Sequence, residues 1–161
     1  MATRNPQVKR LRPCFRKTIT GGPWYGPGVA QLLRNVRAAD AVAKPIPGSH
    51  SIWELVLHMI AWKAGPLRWI HGSRKSVSKA ENFPKIKDTS ERAWKAAVAD
   101  LKATQKAWDA MLAGATDETM DDPASPSRKF TRADLYLGVL QHDTYHAGQI
   151  AMLKRALGLK V

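Results

Sequence analysis

Cysteine is nearly absent from this sequence, because Cys14 is the only one among 161 residues. No disulfide can form within the chain, and a lone thiol is typical of proteins that work in a reducing compartment. The sequence also lacks an uninterrupted apolar run near the roughly 20 residues that a membrane-spanning helix needs, and its N-terminus lacks the apolar stretch of a signal peptide. These absences predict a soluble, cytoplasmic protein with no membrane association.

Acidic residues are scarce, with 13 Asp and Glu against 26 Lys and Arg, which gives a formal net charge of +13. A basic surface attracts polyanions whatever its fold. Much of the excess lies within the first 17 residues, at Arg4, Lys9, Arg10, Arg12, Arg16 and Lys17. Pro6 and Pro13 should prevent an amphipathic helix there, which argues against an organellar transit peptide. We therefore expect residues 1–17 to be a flexible basic leader and residues 18–161 to form one domain.

Helical periodicity recurs in four segments, because apolar residues repeat every three or four positions and no stretch alternates in the manner of a strand. The sequence therefore predicts an all-α domain, a four-helix bundle with long connecting loops. The predicted helices cover about residues 27–41, 51–72, 88–112 and 131–157. Ser51 and Glu54 form a capping box at the start of the second helix, and Pro66 should break or kink that helix.

Three segments outside these helices are also informative. Residues 18–28 are dense in Gly and Pro, so they should form a rigid entry segment that carries Trp24 and Tyr25. The connections 72–88 and 114–130 are longer than those usual between bundle helices. Loops of that length usually cover a site or an interface.

The chemically informative residues are three histidines. His142 and His146 lie four positions apart on the last predicted helix, so they share a face one turn apart. Such a pair alone is more often ordinary packing, but both lie inside the apolar stripe, where buried ring nitrogens need partners. His58 occupies the apolar face of the second helix and can reach the same point in the bundle. Three imidazoles suit Zn²⁺, Ni²⁺ or Fe²⁺ and leave coordination positions open.

A rival interpretation takes the segment His142-Asp-Thr-Tyr-His146 as a variant of the H-E-x-x-H metalloprotease motif, with Asp143 as the general base. Two features argue against it. Asp is one methylene shorter than Glu, and no Asp, Glu or His follows His146 to serve as the downstream third ligand of that class.

Three neighbouring residues allow two interpretations each. Glu54 could accept a hydrogen bond from His58, but its place in the capping box explains it equally well. Gln149 and Tyr145 could contact a bound water or substrate, although packing at half-exposed positions is the favoured role for both.

Four further aromatic or imidazole side chains are expected to play no part in chemistry. His50 should lie on a loop surface, and His71 should interact with the end of the second helix. Trp62 and Trp69 are interpreted as core residues rather than as a platform for substrate.

Three stretches in this order, PWYGPG, PIPGSHSIWELVLHMIAW and HDTYHAGQI, resemble the DinB-like (damage-inducible) metal-binding proteins over roughly residues 18–158. The resemblance implies a four-helix bundle, often dimeric, whose metal ligands fall on His58, His142 and His146. Some relatives are transferases or isomerases that use a low-molecular-weight thiol, others are described as hydrolases, and many have no assigned activity.

The sequence supports two hypotheses about function. The first is a metal-dependent enzyme of the thiol-dependent transferase or hydrolase type, with one divalent metal ion and a small-molecule substrate. The second is a nonenzymatic stress-response or polyanion-binding protein whose metal is structural. The leader carries no aromatic residue apart from Phe15, so stacking on nucleic-acid bases is disfavoured and the enzyme is preferred.

Overall fold

The computed structural model describes residues 6–161, and within them the chain is helical without a β-strand. Four long helices carry the architecture, and three short helices and one 3-10 turn lie in the connections. The long helices are α1 (Pro6–Thr20), α4 (Ile52–Ile70), α6 (Glu91–Gly114) and α7 (Arg132–Ala156). The short elements are α2 (Val29–Leu32), α3 (Ala38–Val42), α5 (Lys79–Asn82) and the 3-10 turn Asp117–Thr119.

The long helices form a bundle in which each contacts two neighbours. Helix α4 packs against α6 and α7, and α1 packs against the same two helices from the opposite side. The all-α bundle expected from the sequence is therefore confirmed. No helix among residues 6–161 is both long enough and apolar enough to cross a bilayer.

Helix α1 corrects the expectation of a flexible leader. Residues 6–20 are helical although Pro13 lies inside the helix, and Phe15 is fully buried. The Phe15 ring stacks on Trp108 of α6 with centroids 5.2 Å apart. Burial of an aromatic ring offsets the roughly 3 kcal/mol that an interior proline costs a helix. The first long helix of the bundle thus comes from the basic segment, whose residues 1–5 lie outside the described part.

The helix predicted over 27–41 is instead two short helices. Asn35 lies between them with a φ of 63°, a left-handed conformation that interrupts helical hydrogen bonding and that Asn adopts more readily than most residues. Asp40 then caps the start of α3, because its carboxylate accepts from the backbone N–H of Arg37. The apolar residues of the two short helices and their connection are nevertheless buried, at Val29, Leu32, Leu33 and Val36.

Helix α4 begins and ends close to the predicted positions. Ser51 Oγ accepts from the backbone N–H of Glu54, whose carboxylate accepts from the backbone N–H of Ser51. Pro66 does not break the helix, which continues to Ile70. Gly72 follows with a φ of 90°, the left-handed conformation that commonly closes a helix.

The core consists of two apolar clusters with a polar layer between them. One cluster includes Trp53, Met59, Trp94, Leu101 and Ile150, and the other includes Phe15, Trp69, Trp108, Leu112 and Tyr136. The buried polar side chains that lie between them along the three helices are His58 and Lys63 of α4, Gln105 of α6, and Asp143 and His146 of α7. The functional site must therefore be sought in this layer.

Candidate metal centre

Packing of α4 against α7 brings the three predicted histidines together. His58 Nε2 lies 3.0 Å from His142 Nε2, and His146 Nε2 lies 3.1 Å from the same atom. His58 and His146 are 8% and 5% exposed, and His142 is half-buried. Among the described residues, these three form the group of side chains whose donor atoms are close enough to hold a metal ion.

The outer nitrogens of two of these rings are fixed by oxygen acceptors. The backbone carbonyl of Asn82 lies 2.9 Å from His58 Nδ1, and the side-chain Oε1 of Gln149 lies 2.6 Å from His146 Nδ1. A carbonyl oxygen only accepts, so both Nδ1 atoms carry hydrogen and, in the neutral rings, both Nε2 atoms carry a lone pair. Hydrogen bonding of this kind behind a ligand is typical of metal-binding histidines.

With this protonation, hydrogen bonds cannot pair all three Nε2 atoms, and their lone pairs repel each other unless a cation binds between them. His142 Nε2 has two neighbours, and a single N–H there can point at only one of them. In the neutral cluster, the lone pairs of at least two of these Nε2 atoms therefore face each other at a distance of about 3 Å. A metal ion bound to all three nitrogens removes the conflict. The spacing also fits, since tetrahedral Zn–N bonds of roughly 2.0–2.1 Å place ligand nitrogens about 3.3 Å apart.

Protonation is a poor alternative way to relieve the conflict, because burial disfavours imidazolium. Burial, with a smaller contribution from the nearby His146, His58 and Lys63, lowers the pKa of His142 to about 3. Burial also lowers the pKa of His58 and of His146, although the Asn82 and Gln149 acceptors oppose the shift. The rings therefore stay neutral near pH 7, which is the form that binds metal.

We expect acidification to destabilise the protein when a chelator is present. The folded histidines have pKa values below the ordinary 6.5, so the unfolded chain takes up protons first. Their contribution to stability is complete above pH 6.5 and is lost as the pH falls. Urea denaturation at pH 7.5, 6 and 5 should show a falling midpoint, and His142→Asn should make the fall shallower. Equal slopes for the two proteins would contradict this assignment.

Asp143 is not placed as a metalloprotease base would be. Its carboxylate and the Lys63 ammonium are both fully buried, with Lys63 Nζ 2.6 Å from Asp143 Oδ2. Burial raises the pKa of Asp143, and Lys63 opposes that shift. No pattern in the sequence indicates this ion pair, which joins α4 to α7 next to the histidines.

The structure separates the roles of the three neighbouring residues, Glu54, Gln149 and Tyr145, for which the sequence allowed two interpretations each. Glu54 bonds Lys44, His50 and its own capping box, which supports the capping interpretation. Gln149 contacts His146 directly, so simple packing was the wrong interpretation for this residue. Tyr145 is 64% exposed with its ring 5.1 Å from that of His146.

Both long connections cover the site, as expected. Phe83 of the first is stacked between the rings of His50 and His58, at centroid distances of 3.8 and 4.3 Å. His50 is exposed, as predicted, but it contacts the site through Phe83. Asn82 also accepts from Trp62 Nε1 at 2.7 Å. The segment between α4 and α6 is thus tied to the inner face of α4.

A cavity of about 500 Å³ opens beside His142. Its walls are mainly apolar and come from α4, α7 and the two long connections. Trp62 and Trp69 line it, so these residues form a cavity wall as well as core. Arg128 and Phe130 of the second connection complete the lining on the other side. The three-histidine cluster therefore has an adjacent space large enough for a small molecule.

The fold and site define an all-α bundle with a three-histidine centre. The family profile described as the DinB superfamily matches residues 28–150. The chain therefore belongs to the DinB superfamily. Searches of curated proteins and of solved structures gave no significant match.

Proposed function

We propose that this DinB superfamily protein binds one divalent metal ion through His58, His142 and His146. The observation that carries the proposal is the convergence of three Nε2 atoms on one point while the outer nitrogens of two rings are engaged by oxygen acceptors. Three neutral imidazoles suit Zn²⁺, Ni²⁺ or Fe²⁺. Three protein ligands also leave coordination positions free, as in catalytic rather than structural sites.

The reaction class follows from this centre and from the cavity beside it. A divalent ion held by three histidines supplies Lewis acidity toward a thiol or a water molecule. Asn82 and Gln149 orient the imidazoles, and Trp62 and Trp69 line the cavity on the side of His142. We therefore assign a metal-dependent enzyme, a thiol-dependent transferase or a hydrolase, that acts on a small molecule.

Elemental analysis of natively purified protein tests the metal, and a screen of thiol-transfer and hydrolase substrates tests the activity. We expect about one divalent ion per chain and an activity that is lost with a chelator and restored by the ion. Protein that carries no stoichiometric ion, and takes none up from solution, would refute the proposal.

A glycine pair on α7 tests whether the cavity admits the substrate. Gly138 lines the cavity, and a Cβ built there meets no atom within 4 Å. Gly138→Leu should therefore fold, gain helix stability of up to about 1 kcal/mol and fill part of the cavity. We expect binding of hexanethiol, followed by tryptophan fluorescence of the zinc-loaded protein, to weaken at least about tenfold, because the leucine occupies cavity space.

Gly148 provides the matched control. It also lies in α7 with no atom within 4 Å of a built Cβ, but it does not line the cavity. Gly148→Leu should therefore share the gain in helix stability and keep hexanethiol binding. Equal binding by the two variants would show that the ligand reaches the histidines by another route.

Polyanion binding remains the alternative, and one feature favours it. Helix α1 exposes Lys9, Arg10, Arg16 and Lys17. However, Phe15 is fully buried against Trp108, so the aromatic ring of this segment is unavailable for stacking on bases. The enzyme therefore remains the preferred function.

A further inference from the structure

Arg128 is the cationic side chain of the cavity lining, and it is held rather than mobile. Its guanidinium lies over the Trp69 ring, with Cζ 4.1 Å from the ring centroid, and one terminal nitrogen donates to Ser76 Oγ at 2.9 Å. Its Nε is buried and has no hydrogen-bond partner among the described residues. The stack and the Ser76 bond therefore fix the orientation of a guanidinium whose donors are only partly used.

Among the side chains that the structure describes, which do not include that of Asp117, no carboxylate forms an ion pair with Arg128. Asp134 also lines the cavity, but its Oδ2 accepts from both the backbone N–H and the hydroxyl of Thr131 at the start of α7. The cation at the cavity wall thus lacks an internal counterion. A half-buried cation of this kind is best satisfied by an anion that enters with a ligand.

The positions of the charged and aromatic groups define the shape of such a ligand. The Trp62 ring lies 6.0 Å from the His142 ring and 6.3 Å from the Trp69 ring, and Arg128 lies on Trp69. The wall between His142 and Arg128 is therefore aromatic along its length. A ligand that spans it needs an apolar middle, with an anionic group at the Arg128 end.

We propose that the cavity binds an elongated apolar molecule whose carboxylate pairs with Arg128 and whose opposite end lies at the three-histidine centre. This inference rests on the proposed function only for the group at the histidines. A carboxylate suits the site because its planar pair of oxygens matches a guanidinium fork. A single cation in an apolar wall also suits a monoanion better than a dianionic phosphate. The substrate class is thus an apolar carboxylate, and Arg128 sets the specificity.

Mercaptohexanoate and mercaptohexanol test the proposal, because they share the thiol and the alkyl chain and differ in the carboxylate. Calorimetric titration of zinc-loaded protein should show at least about tenfold tighter binding of mercaptohexanoate, since a charge-assisted hydrogen bond forms at Arg128. Arg128→Gln should remove this preference, because it weakens mercaptohexanoate binding far more than mercaptohexanol binding, and should leave the zinc content unchanged. Lys129→Gln, at the exposed neighbouring cation outside the cavity lining, should keep it.

Equal affinities of the two probes for the wild-type protein, or no binding of either to zinc-loaded protein, would overturn the inference and leave the metal proposal standing. A preference that survives Arg128→Gln would also overturn it. Failure of the metal proposal would give a different result. If the protein holds no zinc, both probes lose the affinity that the thiol contributes, but the preference for the carboxylate persists and still depends on Arg128.

Discussion

Replacing His142 with alanine is expected to abolish stoichiometric metal binding and to leave the helical fold intact. His142 Nε2 is the central atom of the cluster, 3.0 Å from His58 Nε2 and 3.1 Å from His146 Nε2. Without it, two imidazoles remain, from different helices. Loss of a partner behind a ligand typically costs 10–100-fold in metal affinity, so loss of a ligand should cost more than about 100-fold. Elemental analysis and circular dichroism of the variant measure the two effects.

Two control variants make the His142→Ala experiment specific. His71 is exposed beyond the end of α4, so His71→Ala should keep one ion per chain. Gln149→Ala removes the acceptor of His146 and should weaken binding by an intermediate factor, about 10–100-fold. Undiminished metal content in His142→Ala would show that the ion is held elsewhere.

The second large effect is expected at the buried ion pair of Lys63 and Asp143. Both side chains are fully buried, and their charged atoms lie 2.6 Å apart. Replacing either partner alone leaves an uncompensated charge in the core, so Lys63→Met and Asp143→Leu should each cost about 3–5 kcal/mol of unfolding free energy. The double variant leaves no buried charge and should be much less destabilised than the sum. Urea denaturation of the four proteins gives the double-mutant cycle.

An exposed ion pair of the same bundle supplies the comparison. Arg12 and Asp109 join α1 to α6, with side chains 42% and 29% exposed. Water and salt screen such a pair, so Arg12→Met should cost at most about 1 kcal/mol. If Lys63→Met were no more destabilising than Arg12→Met, the buried pair would not be an ion pair in solution.

The meeting of the three histidines was predictable because it depends only on helix periodicity and on apolar faces. A spacing of four residues puts His142 and His146 on one face, and His58 lies on the apolar face of a facing helix. Helices that bury these faces against each other must bring the rings into one layer. The structure places the rings in that layer, and their role as ligands stays a prediction.

Helix α1 was missed because local and tertiary effects oppose each other there. Pro13 argues against a helix in any local interpretation, since it lacks an amide hydrogen. The compensating burial of Phe15 and Ile19 depends on surfaces of distant helices that no local pattern reveals. The interruption of the helix at Asn35 was missed for a related reason. The local sequence allows Asn35 to be helical or left-handed, and tertiary packing determines that it is left-handed.

The groups that surround the histidines were also beyond sequence reasoning. Lys63 and Asp143 lie 80 residues apart, and nothing in either segment identifies its partner. Arg128 belongs to a long connection without helical periodicity, so its position over Trp69 follows from the path of the loop. Periodicity predicts which faces meet, but it does not predict which polar atoms meet across them.

The two acceptors that orient His58 and His146 differ in whether a substitution can remove them. Gln149 supplies a side-chain oxygen, so one codon change deletes it. Asn82 accepts from His58 through its main-chain oxygen, and every amino acid has such an oxygen. Evolution can therefore exchange the residue at position 82 and lose only the Trp62 hydrogen bond, provided that the chain keeps its course. Tolerance to substitution at this position would conceal, rather than disprove, its contact with the histidine centre.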